Sequence, residues 1–323
     1  MNASTLRKLL ETEDAALLQD LKERAHAEAV RVFGKRVWLR GLIEWSNVCR
    51  RDCLYCGIRA SRSGVARYTL SKESILACCQ NVWAAGVRTF VLQGGENPAA
   101  AEALVPVVAD IHAAWPAATI TLSLGELPFD LYKRFREAGA GRYLLRHETA
   151  SPAHYRRLHP AGMELETRLE CHRELRRLGF EVGMGMMVGS PFQTTEDLLA
   201  DLRLLQDFRP EMVGIGPFIP QQNTPFADQP AGSAEMTLRL LSIVRLLLPE
   251  ANLPSTTALS AVSTHSRLEG ILAGANVIMP NFTPARERAA YALYQGKDAA
   301  HLEAGEKLDS LRAELTAHGY ITC

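Results

Sequence analysis

VWLRGLIEWSNVCRRDCLYCGIR, residues 37–59, runs from an apolar stretch straight into a charged loop that carries three cysteines. The first nine residues, 37–45, have the length and the β-branched and aromatic content of a strand. The loop spaces its thiols as C-x3-C-x2-C at Cys49, Cys53 and Cys56, with Tyr55 directly before the third. A structural zinc site would need a fourth protein ligand, usually in a second spaced pair, and no partnering cysteine or histidine follows at suitable spacing. Three thiolates also cannot complete a four-iron cluster. One iron keeps an open position, which an amino acid's amine and carboxylate can chelate.

Working outward, short apolar stretches recur, each followed by an amphipathic segment of helical spacing. The strand candidates are 37–45, 89–95, 119–126, 142–148, 182–189, 212–219, 254–259 and 276–281. This alternation predicts an α/β chain folded as a (β/α)8 TIM barrel. Residues 1–36 read as an N-terminal helical extension, and residues 37–323 as the barrel with C-terminal helices. The strands finish on polar or unusual residues, among them Gly94, Gly95, Glu96, Ser123, Arg146, Glu148, Thr256, Thr257 and Met279. In barrels, such C-terminal strand ends build the active site. The strand parity of His147 turns it away from the lumen, as a packing histidine. Segments 221–232 and after Pro284 are candidate lids.

Lysine plus arginine equals aspartate plus glutamate, 36 against 36, with the charges interspersed. A phosphate backbone has no basic stripe to follow, so nucleic acid is not expected as a partner. No apolar run reaches the roughly 20 residues of a membrane span, so no membrane partner is expected either. The first residues form an amphipathic helix pattern and not an export signal. Together with seven cysteines, this points to a soluble protein of the reducing cytoplasm.

The C-x3-C-x2-C loop after strand one, with an aromatic before its last cysteine, resembles the radical S-adenosylmethionine superfamily. The resemblance implies one [4Fe-4S] cluster held by Cys49, Cys53 and Cys56, with S-adenosyl-L-methionine (SAM) as second cofactor. Reductive cleavage of SAM would release a 5′-deoxyadenosyl radical, and an external electron donor is implied. Gly94-Gly95-Glu96 resembles the superfamily's GGE motif, which receives the amino group of SAM.

LIEWSNVCRRDCLYCGIR, LQGGENP, TLSLGE, RYLLRHETASP, MVGIGPFIPQQNTP and GANVIMPNFTP together are similar to the [FeFe]-hydrogenase maturation protein HydE family, which is close to biotin synthase. The family implies a small-molecule or organometallic substrate, a cysteine-bound iron carbonyl cyanide species, and transient contact with other hydrogenase maturases. Tyr55, Gly94, Gly95, Glu96, Ser123, Arg146, Glu148 and Arg168 resemble its cofactor contacts. Thr256, Thr257, Met279, Tyr291 and Tyr294 resemble the lining of its deep pocket. The remaining cysteines, Cys78, Cys79, Cys171 and Cys323, stand apart, so the second cluster that some relatives hold near the C-terminus is not expected. A methylornithine synthase-like carbon-skeleton mutase and a cluster scaffold without turnover remain as alternatives. Few lumen charges are expected beyond those assigned to the cofactor.

Overall fold

A computed structural model describes residues 1–262, 266–297 and 306–323 of the chain. Two helices lead, α1 (Ala3–Glu11) and α2 (Ala15–Phe33), and pack against helices of the barrel described next. Six parallel strands then form one continuous sheet in sequence order: β2 (Gly41–Ser46), β3 (Thr89–Gly94), β4 (Thr119–Ser123), β5 (Ala140–Leu144), β6 (Glu181–Val188) and β7 (Met212–Pro217). Helices α3 (Lys72–Ala84), α4 (Pro98–Ala114), α5 (Phe129–Glu137), α6 (Pro152–Leu158), α7 (Leu165–Arg177), α8 (Thr195–Phe208) and α9 (Ala234–Leu247) connect them. The expected parallel βα architecture is therefore present. α1 lies against α8 and α9, and α2 against α9.

Closure takes a different form from eight equal strands. The stretch 37–45 breaks at Arg40 into β1 (Arg36–Leu39) and β2. β1 pairs on one side with β8 (Val277–Ile278) and on the other with β9 (Ile321–Thr322), a C-terminal strand that the sequence pattern did not disclose. The candidate strand 254–259 does not form. Asn252 and Pro254 make single bridges to Met212 and Val277, and helix α10 (Thr257–Val262) begins in its middle. The competing signal was local: the Thr256 hydroxyl accepts from Leu259 N at 3.4 Å, as a helix cap does, and this outweighs the strand propensity of two threonines. A further bridge, Leu42 to Asn281, brings the end of the run back to β2. Helices α11 (Ser266–Leu272), α12 (Ala285–Ala290) and α13 (Glu306–Ala317) complete the described chain, and residues 298–305 of the candidate lid lie outside it.

Alternation along the strands separates two environments. Ile43, Trp45, Phe90, Leu92, Ile120, Leu122, Val182, Met184, Val213 and Ile215 face outward into the apolar layer beneath the helices. Their alternates, including Glu44, Gln93, Thr121, Arg146, Gly185 and Gly214, face the lumen. On β6 and β7 the inward positions are largely glycine, so that side of the lumen is bare.

Besides His154, three buried histidines among the described residues lie in or beside the layer around β5 and β6. His147 bonds Asp201 of α8 at 3.2 Å, which matches the outward direction its parity predicts. His172 bonds Leu145 O at 2.6 Å and His159 bonds Tyr155 O at 2.9 Å. Burial drives each pKa down to about 3. In the unfolded chain each titrates near 6.5, so it takes up a proton that the folded chain refuses. Stability is therefore complete above about pH 6.5 and falls as the pH drops toward 3. The expected loss is roughly 1.4 kcal/mol per pH unit for each histidine in that window. Urea midpoints at pH 7.5, 6 and 5 should decline in the parent chain and decline less steeply in His172→Asn. Parallel pH slopes in the two proteins would contradict this.

Candidate active site

The cysteine loop follows β2, as expected, and short hydrogen bonds tie it down. Arg51 N approaches Cys49 Sγ at 3.4 Å and Cys56 N donates to Cys53 O at 3.2 Å. Asp52 accepts from Arg59 Nε at 2.8 Å and from Ser61 N at 3.0 Å, and the guanidinium of Arg67 caps the carbonyls of Asn47, Ile58 and Arg59. Burial pushes the thiols of Cys49 and Cys53 up and that of Cys56 to about 12. Without iron all three would hold their protons at neutral pH, and iron must displace those protons as it binds. Among the described residues, no three His, Cys, Asp or Glu side chains converge on a point suited to one metal ion.

Two carboxylates anchor this loop to the strand ends. Glu96, only 5% exposed, accepts from Arg50 Nε at 3.0 Å, from Arg51 Nε, and from Glu126 N at 2.8 Å. Glu126 accepts from Arg51 Nη2 at 2.6 Å and from Arg168 Nε at 2.8 Å. Arg168 in turn donates to Arg146 O at 2.9 Å. The chain of pairs therefore runs from the loop across the ends of β3, β4 and β5 to α7. Arg168 is 7% exposed, which rules out a solvated helix residue. Burial opposes its charge, but the neighbouring Tyr155 and Glu126 outweigh that and hold its pKa above the usual value.

Sequence reasoning assigned Glu96 to SAM. In the structure its two oxygens are engaged by the loop arginines and a backbone N–H. Gly95 has a tight steric role: a Cβ there would stand 2.5 Å from Val48 O and 2.8 Å from Cys49 Cβ, so only glycine lets the loop pass. Its N–H donates to Ser46 O at 2.9 Å. Gly94 pairs with Ser46 in the sheet, and Ser123 pairs with Gln93 at the end of β4. Arg50, Arg51 and Glu126 were not singled out, although Gly125-Glu126 repeats the Gly95-Glu96 pattern one strand later.

Arg146 and Glu148 are half-buried groups whose hydrogen-bonding capacity is only partly used. Arg146 Nη2 donates to Met186 O at 2.7 Å and lies 3.0 Å from Glu148 Oε2, close in distance yet without hydrogen-bond alignment. Arg146 Nε and Glu148 Oε2 are consequently buried polar atoms lacking a hydrogen-bond partner, although Glu148 Oε2 keeps its ion pair with Arg146. A Cβ at Gly185 would stand 3.1 Å from Arg146 Cγ, so the bare wall of β6 makes room for this side chain. Glu148 has φ of 65°, a left-handed conformation rare for glutamate and costing on the order of 1–3 kcal/mol, which the surrounding sheet must hold in place. Together, four guanidinium groups (Arg50, Arg51, Arg146, Arg168) face three carboxylates (Glu96, Glu126, Glu148). The excess positive charge suits a carboxylate ligand, and Glu148 suits a hydroxyl or ammonium donor. Three thiols beside orphaned donor and acceptor atoms fit a cluster with an amino-acid-bearing cofactor next to it.

The sequence matches the radical SAM superfamily over residues 43–205. It is 42% identical over 293 residues to the [FeFe] hydrogenase maturase subunit HydE of Thermotoga maritima, covering 90% of this chain and 83% of that protein. The chain belongs to the radical SAM superfamily and, within it, to the HydE family of maturases. It is an enzyme of that type, with a [4Fe-4S] cluster and SAM as cofactors. A 3-methylornithine synthase of Methanosarcina barkeri is 28% identical over 295 residues, 90% of this chain and 82% of that one. The crystal structure of methylornithine synthase (PylB) superposes with a TM-score of 0.86 at 25% identity, covering 100% of this chain and 94% of that one. HydG of Carboxydothermus hydrogenoformans gives 0.85 at 21% identity over 100% and 76% of the two chains, a likeness of fold.

Tyr55 OH lies 3.2 Å from His159 Nε2, whose ring stacks on Tyr155 at 3.9 Å, so Tyr55 supports the loop from below. The pocket candidates divide. Tyr291 is buried and its hydroxyl accepts from Gln93 Nε2 at 3.4 Å, and Tyr294 hydrogen-bonds the Thr257 side chain. Thr256 donates to Ile215 O at 3.2 Å. Met279 is half-buried just past β8. One expectation needs correcting, since the lumen is not short of charge: Glu44, inward on β2, pairs with Lys297 at 2.5 Å beneath the Tyr291 ring.

Cys323 is exposed beside β1, where the barrel strands begin, away from the cysteine loop, while Cys78, Cys79 and Cys171 are buried in α3 and α7. Anaerobic reconstitution should therefore give about four irons per chain. Alanine at Cys49, Cys53 or Cys56 should abolish the cluster, and Cys323→Ala should leave iron content unchanged. Half the iron missing from Cys323→Ala would show a second cluster. Glu126→Ala strands the buried Arg168, removes one of the two carboxylate partners of half-buried Arg51, and should cost about 3–5 kcal/mol in unfolding free energy of the iron-free chain. A loss under 1 kcal/mol in a urea titration would contradict the network.

Proposed function

We propose that the chain is a HydE-type maturase that binds SAM between the cysteine loop and Arg146, Glu148 and Arg168, and acts on a cysteine-bound iron carbonyl cyanide substrate while the hydrogenase diiron subcluster is assembled. The observation that supports this most is the 42% identity to HydE over 90% of the chain, joined to orphaned polar atoms of Arg146 and Glu148 at the lumen mouth.

When bound, the cluster and SAM supply a one-electron cleavage that yields a 5′-deoxyadenosyl radical. The chain's own residues orient and protect. Arg168 is preset by Glu126 to meet a carboxylate, and Glu148 to accept from a hydroxyl or ammonium. Tyr291 and Tyr294, tied to Gln93 and Thr257, roof the lumen and keep water from it. On the glycine-rich wall of β6 and β7 a Cβ would have ordinary clearance at Gly214, 3.9 Å from Met184 O, so a compact substrate has its room there, with the Thr256 and Thr257 hydroxyls nearby. Other hydrogenase maturases and an external electron donor are its proposed partners.

Arg168→Ala and Glu148→Ala should weaken SAM binding roughly ten- to a hundredfold while the cluster persists, since a charged hydrogen bond contributes about 1.5–3 kcal/mol. Equilibrium dialysis on the reconstituted protein measures this, and unchanged affinity in both variants would return these residues to a structural role. Activation of a hydrogenase apoprotein should require this chain alongside the partner maturases. Lysine should not accelerate 5′-deoxyadenosine formation. Deuterium passing from labelled lysine into 5′-deoxyadenosine would instead make the chain a mutase.

A further inference from the structure

Electrons must reach the cysteine loop from outside, and the structure offers one rim at which an exposed aromatic, exposed cations and the loop adjoin. Residues 49–67 contain five arginines and a single aspartate in a chain that is neutral overall. Asp52 neutralises Arg59, and the two carboxylates Glu96 and Glu126 are shared among three guanidinium groups, Arg50, Arg51 and Arg168. Arg62 and Arg67 bond to carbonyl oxygens, which leave their charge in place. Beside the loop, α6 ends in the exposed pair Arg156 and Arg157, and the next residue, Leu158, accepts from Leu54 N at 3.0 Å. The positive field is therefore continuous from the loop onto α6.

Next to this pair stands Phe192, 48% exposed, with φ of 71°. An aromatic residue in the left-handed region, turned toward solvent, is disfavoured on both counts. The guanidinium of Arg157 lies 3.5 Å from its ring centroid and fixes it in place. Behind it runs a packed apolar path: Phe192 meets Phe226 at 6.1 Å, Phe226 meets Phe218 at 6.5 Å, and both belong to a cluster with Leu158 and Met187 that Leu54 and Tyr55 pack against. Leu54 follows Cys53 directly. The exposed ring is thus connected to a cluster ligand by side chains in contact, with no solvent layer between them.

We propose that the rim formed by Phe192, Arg157 and Arg156 is the docking surface for a small acidic electron-carrier protein, which delivers one electron to the [4Fe-4S] cluster through the Phe226–Leu54 contacts. The inference rests on the cofactor reading of the cysteine loop and not on the identity of the substrate. The balance is simple: the carrier is oxidised by one electron, the cluster is reduced by one, and no bond is made or broken. Charge complementarity favours an acidic partner, and the ring held under the Arg157 guanidinium supplies an apolar centre with a charged edge, as a transient interface has.

The test uses reconstituted protein and a reduced bacterial two-[4Fe-4S] ferredoxin as probe. Cluster reduction is followed by stopped-flow absorbance and by the electron paramagnetic resonance of the reduced state, with no substrate present. The double variant Arg156→Glu, Arg157→Glu should slow ferredoxin-driven reduction at least tenfold, and Phe192→Ala several-fold. Dithionite, a small reductant that needs no docking surface, should reduce all variants at the parent rate. In the parent, raising salt from 50 to 300 mM should weaken ferredoxin binding by about an order of magnitude, because rim charges act over a screened distance of about 10 Å or less. Ferredoxin rates that are unchanged in both variants, or insensitive to salt in the parent, would overturn the proposal. Since neither readout involves hydrogenase activation, failure here and failure of the maturase reading are separate results.

Discussion

A buried guanidinium–carboxylate chain, from Arg51 through Glu96 and Glu126 to Arg168, is the constraint on which the site depends. A loop carrying three cysteines has no regular hydrogen-bond ladder, and its ligands must nevertheless hold fixed directions. Glu96 and Glu126 stand at the ends of neighbouring strands, and each holds more than one donor from the loop or from α7. Burying such charges is expensive unless every one is paired. The arrangement therefore has few alternatives once formed: moving the loop would strand a carboxylate, and moving α7 would strand Arg168. The same network leaves a positive excess at the mouth of the lumen. Rigidity for the metal ligands and attraction for the carboxylate of the cofactor thus have one origin.

Below the network the lumen is divided by its residue sizes. Inward glycines let β6 and β7 pack closely beside Arg146 on one wall, while the opposite wall carries Glu44 and Gln93, covered by Lys297 and Tyr291 from the segment after α12. Because that segment also meets the cysteine loop through Gly57 N and Leu293 O at 2.8 Å, the roof of the lumen and the cluster site share a boundary. Radical chemistry needs such a dry, bounded space.

Much of this was legible in the sequence. The thiol spacing marked the ligands, and alternation of strand and helix patterns located β3, β6 and β7 within a residue or two and β4 within three. What stayed hidden depends on contacts between distant residues. Arg40, whose N–H bonds Ile278 O, divides the first apolar stretch because each half pairs with different strands. The Glu44–Lys297 pair joins residues 253 apart in sequence, and neither sits in a recognisable motif. The ties that Glu96 makes to Arg50 and Arg51 appear only once the loop is folded over β3. Likewise, the left-handed backbone at Glu148 follows from rejoining β6 through Gly185 O and Met187 N, which no propensity records.

The central claim is that three cysteines leave one iron open to the amino-acid end of SAM beside Arg146, Glu148 and Arg168. Electron–nuclear double resonance on the reduced cluster, with SAM labelled by 15N at the amine and 17O at the carboxylate, tests it most directly. The account predicts resolved hyperfine coupling to both labels in the parent protein. Labelled SAM that binds without coupling to either nucleus would contradict it.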